Sequence, residues 1–156
     1  MVKRAVLSLS IALPALLAPP AAHAVESRQR ELVAALPPAV RSVQSCGRWR
    51  EGEADGSYRL VVADVDDGAG TELYVQWLRD PSPSGGPVLV RSVPVRELND
   101  DHAQFEITEL RCLARHASTT VEVRAWFEHD AKPRLHTWRL ELRAGGVYRL
   151  RAVSPR

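Results

Sequence analysis

The chain has 156 residues, with 21 Lys and Arg against 19 Asp and Glu and a formal net charge of +2. Lys3 and Arg4 supply that excess, and both lie in an N-terminal leader whose loss leaves the charges balanced. The overall charge therefore gives no support to a nucleic-acid or acidic-lipid binder. Cys46 and Cys112 are the only thiols, which leaves no C-x-x-C motif and no cysteine cluster for a metal.

Lys3 and Arg4 precede an apolar run from Ala5 to Ala18, and Ala22-His23-Ala24 follows. A positive start, a short apolar stretch and small residues at the cleavage positions make a secretory signal peptide over 1–24, cut after Ala24. The run is shorter than the ~20 residues a membrane span needs. Removing it leaves about 132 residues, enough for one domain. An exported chain with an even cysteine count is expected to close a Cys46–Cys112 disulfide. Export implies a periplasmic or secreted protein.

Residues 25–45 form the expected helical leader. Glu26 to Leu36 is rich in helix formers, Pro37-Pro38 interrupts it, and Ala39 to Val43 has room for another turn. The β domain is expected over 46–156, where apolar residues recur with period two. Ser57 to Asp64, Thr71 to Arg79, Val88 to Val95, Leu135 to Arg143 and Val147 to Val153 are the strands around a central hairpin from Ala103 to Glu128. Gly47 to Arg50 is a possible eighth strand. Between them lie turns rich in Asp, Gly and Pro. Pro94 marks the end of its strand as an edge or a bulge. In the hairpin, Phe105 and Ile107 share one parity and Leu110 and Cys112 the other, so a bulge is expected near Thr108-Glu109. Short connections and half-apolar strands predict an all-β fold: an antiparallel β-sandwich or curled meander of seven or eight strands, with a small closed barrel as the alternative.

If the strands run up and down in order, one end collects Asp64, Asp66, Asp67, Glu97, Asp100, Asp101, His102, Glu128, His129 and Asp130. Asp64, Asp66, His102 and His129 are the candidate metal ligands there, since carboxylates and imidazoles suit calcium or zinc. The competing reading is a set of solvated turns, because Asp and Gly belong in turns for backbone reasons. Tyr74 shares parity with Glu72 and Gln76, and Trp126 with Glu122 and Arg124. An aromatic among charges on a strand face is a candidate partner anchor. Trp77 and Trp138 sit among aliphatics and are expected in the core, with Trp49 over the disulfide. Arg149, Arg151 and Arg156 make a modest basic patch, accounted for by a solvated edge.

No G-x-S-x-G, H-E-x-x-H, P-loop or dinucleotide glycine pattern occurs. The expectation is a non-enzymatic exported binding domain, with no cofactor, that engages a protein or glycan partner through a sheet face or edge, as an inhibitor, immunity or envelope accessory protein would. The alternatives are a carrier of a small ligand or metal ion at the acidic end, and a small hydrolase.

Overall fold

A computed structural model describes residues 30–65, 70–80, 85–99, 104–115 and 118–154, the side chains of 114 and 115 excepted. The signal peptide expected over 1–24 lies outside them. Residues 30–34 are helical, and the Ala35 N–H donates to the Glu31 carbonyl. Leu32, Val33 and Leu36 are exposed. The chain up to Leu36 is one unit and Pro37–Arg156 another.

The second unit is all β. Strands β1 (Val40–Glu51), β2 (Ala54–Asp64), β3 (Thr71–Arg79) and β4 (Val88–Pro94) form sheet A, antiparallel and in chain order. Strands β5 (Phe105–Arg115), β6 (Ser118–Phe127), β7 (Leu135–Arg143) and β8 (Val147–Ala152) form sheet B in the same way. Each sheet is a meander with two open edges, so the fold is sandwich-like and no barrel closes.

The helical leader does not reach Ser45. Val40–Ser45 belongs to β1 and pairs with β2, and the Asp64 N–H continues the ladder to the Ala39 carbonyl. Val40 and Val43 are β-branched and suit a pleated surface, and the pairing overrides the helix formers upstream. β1 therefore starts well before Gly47, where the sequence suggested pairing.

Two bulges aim the strands. On β1 the register shifts between Cys46 and Arg48, leaving Gly47 unpaired at φ +61°. Glycine accepts that conformation without strain. The bulge turns both Cys46 and Trp49 inward, three residues apart. On β5 the shift falls between Ile107 and Glu109, so Thr108 is the extra residue, as the parity change required. Ile107, Leu110 and Cys112 then share the core face.

Between the sheets lie Leu60, Val75 and Trp77 from sheet A against Val121, Val123 and Leu140 from sheet B, all essentially sealed from solvent. Burial of each such side chain stabilises the fold by about 2 kcal/mol. Trp138 is only partly buried at the margin of this core. Val95, at the end of the expected strand, and Leu98, in the segment expected to be an acidic turn, are also fully buried. Asn99 follows them, and its amide both accepts from the Leu73 N–H and donates to the Leu73 carbonyl. The Val95 N–H donates to the same carbonyl, and the Asn99 amide completes the pairing at Leu73.

The sheets are tied by specific bonds as well as by packing. The Cys46–Cys112 disulfide joins β1 to β5, with 5.6 Å between the Cα atoms. The Trp77 indole N–H donates to the Arg143 carbonyl at 2.9 Å. Thr71 Oγ1 donates to the Phe105 carbonyl and accepts from the Ile107 N–H. The Tyr148 hydroxyl accepts from the Arg96 N–H and donates to the Glu97 carboxylate.

Candidate functional site

The expected metal ligands do not converge among the described residues. Asp66 and His102 lie outside them, as do Asp67, Asp100 and Asp101. Asp64, at the end of β2, pairs with Arg41, whose guanidinium also holds Glu106 of β5. His129, in the turn after β6, sets its ring edge-on against Phe127 at 5.5 Å. Among the described residues no three His, Cys, Asp or Glu side chains are gathered where they could hold an ion.

The nearby His136 has a built environment. Its Nε2 lies 2.7 Å from Asp130 Oδ2, and its ring stacks on Trp138 at 5.7 Å. Phe105 stands edge-on to Trp138 at 4.9 Å and tilted against Phe127 at 5.2 Å. This aromatic group closes the end of the core on sheet B. The carboxylate orients the imidazole in a packing role.

The two anchor candidates occupy opposite sides of the molecule. Tyr74 is on the outward face of sheet A, because its neighbours Leu73 and Val75 are in the core. Its hydroxyl donates to the Glu72 carboxylate beside it. That bond, with partial burial and the nearby charge, holds the phenol above its usual pKa. Trp126 is on the outward face of sheet B, since Val123 and Ala125 point inward. It is 40% exposed and pairs with Leu135, exposed to the same extent. Tyr74 and Trp126 therefore cannot contribute to one patch.

A groove of about 900 Å³ opens between the sheets where β1 and β2 approach β6 and β7. Trp49 and Tyr58 line it together with Arg48, Arg50 and Arg143. The Trp49 indole N–H is shared between the Ser57 and Leu78 carbonyls at 3.2 Å each. Arg48 bonds Asp80 and Asp55, which raise its already high pKa. Burial pushes the Tyr58 phenol up to about 12. Ion pairs thus fill much of the rim.

Among the described residues of the β unit, the most open apolar run is on β4. Val88, Leu89 and Val90 are 59%, 49% and 47% exposed. β4 is the last strand of sheet A, so one side of its backbone faces no strand. The register shifts between Trp77 and Leu78, which leaves Val90 as a bulged residue. Beyond it, Arg91 crosses to donate to the Gly145 carbonyl at 2.9 Å. The sequence showed β4 as apolar on both faces and ended by a proline. That pattern ordinarily marks a strand buried on both faces, but here it falls on an edge strand whose Val88, Leu89 and Val90 are exposed.

Comparison with models of known protein families, with curated proteins and with solved structures finds no match. The functional reading rests on the chain's own geometry.

Proposed function

We propose that this chain is an exported, non-enzymatic binding domain that takes an extended segment of a protein partner along β4. The observation that carries this reading is the exposure of Val88, Leu89 and Val90 on an open edge strand. An extended peptide can add to such an edge, its backbone completing the ladder and its side chains meeting alternate residues. An edge left apolar and unpaired is otherwise an aggregation hazard, which proteins blunt with charge. The Cys46–Cys112 disulfide fits the oxidising setting of a periplasmic or secreted protein. Among the described residues no helix is long and apolar enough to cross a membrane.

A photo-crosslinker placed at Val90 in the producing cell tests the proposal. The expected result is one discrete crosslinked product, absent when the probe sits at Thr137 and lost with Leu89→Asp. Trp126→Ala should leave it intact. Loss with Trp126→Ala but not with Leu89→Asp would move the interface to sheet B and overturn the proposal.

A further inference from the structure

The outward face of sheet B carries an arrangement that core packing does not explain. Arg139 of β7 stands directly opposite Arg151 of β8. Arg149 lies on the same face of β8, roughly 7 Å along the strand. All three side chains are exposed, and among the described residues none of them forms an ion pair. Like charges directly opposite on paired strands, with Cβ atoms about 5 Å apart, destabilise a sheet.

Charge on an edge strand guards against unwanted pairing, which accounts for Arg149 and Arg151. It does not account for Arg139, because β7 lies between β6 and β8. Elsewhere on this face charges are matched: Arg124 bonds both Glu109 and Glu122. Glu122 is opposite Arg139 in the register but is committed to Arg124. Arg149 faces Glu141 across the ladder, so Arg139 and Arg151 are the guanidiniums left facing each other. Beside Arg139 a hollow of about 730 Å³ is lined in part by Arg134, Thr137, Arg139 and Ser154, and also by Glu122, which is paired with Arg124.

We infer that this face binds a phosphate monoester carried on a group of about sugar size. Guanidinium forks bond phosphate oxygens in pairs, and two facing each other on adjacent strands suit a compact dianion. The hydroxyls of Thr137 and Ser154 can donate to the group that carries it. The hollow has the volume of an ordinary small-ligand site. An extended phosphodiester running along β7 would instead meet Glu141, two residues from Arg139 on the same face. The site is on sheet B and is independent of the β4 proposal.

The monoester can come from a soluble sugar phosphate or from a lipid headgroup. The purified, oxidised protein is titrated with glucose 6-phosphate, with phosphatidylcholine vesicles containing phosphatidic acid, and with a short oligonucleotide lacking a terminal phosphate. Binding to either monoester is expected, with the responding arm naming its source. Arg139→Gln or Arg151→Gln should weaken it about tenfold or more, and Arg50→Gln on sheet A should not. Without ligand, Arg139→Gln should melt no lower than the parent, because a repulsion has been removed. The ligand should raise the melting temperature of the parent and of Arg50→Gln, and raise that of Arg139→Gln less. The inference is overturned if neither monoester binds at millimolar concentration, if the oligonucleotide alone binds, or if Arg139→Gln melts clearly lower.

Discussion

Thr71 is 2% exposed, and its hydroxyl is used in both directions, donating to the Phe105 carbonyl and accepting from the Ile107 N–H. Valine has nearly the same shape but can do neither. Thr71→Val would leave a donor and an acceptor of β5 buried without partners, each costing about 1–3 kcal/mol. The expected loss is about 2–4 kcal/mol by urea unfolding, with Thr71→Ser retaining most of the stability. A valine variant as stable as the parent would show that the hydroxyl is no tie between the sheets. Tyr58 makes a different test. Its phenol ionises near 10.0 when unfolded, and burial pushes it up to about 12 in the fold. Between those values the unfolded chain releases a proton that the folded chain keeps. Stability is thus intact below pH 10.0 and falls as pH rises toward 12, by about 3 kcal/mol from this group. Tyr74 and Tyr148 are also raised and act in the same direction. Urea midpoints across that window should fall less steeply in Tyr58→Phe. An unchanged slope would assign the alkaline loss to other groups.

At the scale of elements, the clearest strands in the sequence were those with clean alternation. β3 and β7 have the bounds that their period-two patterns gave. The bulge at Thr108 was legible because the apolar parity changes between Ile107 and Leu110. The first half of β1 was not, since Arg41, Ser42, Gln44 and Ser45 interrupt any alternation and the partner strand decides the conformation. Leu98 was hidden by Glu97 and Asn99 beside it, because burial in a turn follows tertiary position and leaves no period. The same limit applies to the sites. Trp126 could be placed outward by parity, but the Arg139–Arg151 pairing needs the register, and the capture of Tyr74 by Glu72 needs the rotamer. Gly47 combines both kinds of information: a glycine between two inward residues three apart signals a bulge, and only packing shows what fills the space. A Cβ built there would lie 2.2 Å from Thr119 Oγ1. Gly47→Ala, at φ +61°, should destabilise by about 2 kcal/mol or more, read as a lower melting temperature. Thr119→Ala with Gly47→Ala should recover the part due to the clash and not the part due to the backbone.

For the whole molecule, the question is what holds two self-contained meanders together. Within each sheet every strand pairs with its chain neighbour, so each meander can form from local contacts. The pairing of sheet A with sheet B is the non-local step. Its covalent tie spans 66 residues, from the first strand of one sheet to the first strand of the other. Closing a loop of that length removes enough freedom from the unfolded chain to stabilise the fold by about 4 kcal/mol. The bond links the strands that carry the Gly47 and Thr108 bulges, and those bulges turn both cysteines inward. Reduction should therefore act on the union of the sheets more than on the strands within them. Comparing the oxidised protein with Cys46→Ala/Cys112→Ala in urea, the expected loss is about 4 kcal/mol. Hydrogen exchange should localise the change. Amides in the centres of β2 and β6 should exchange faster by a similar factor, because both meanders open once the core between them parts. Strong protection retained in one sheet alone would mean that this half folds independently, and that the disulfide joins two domains instead of closing one.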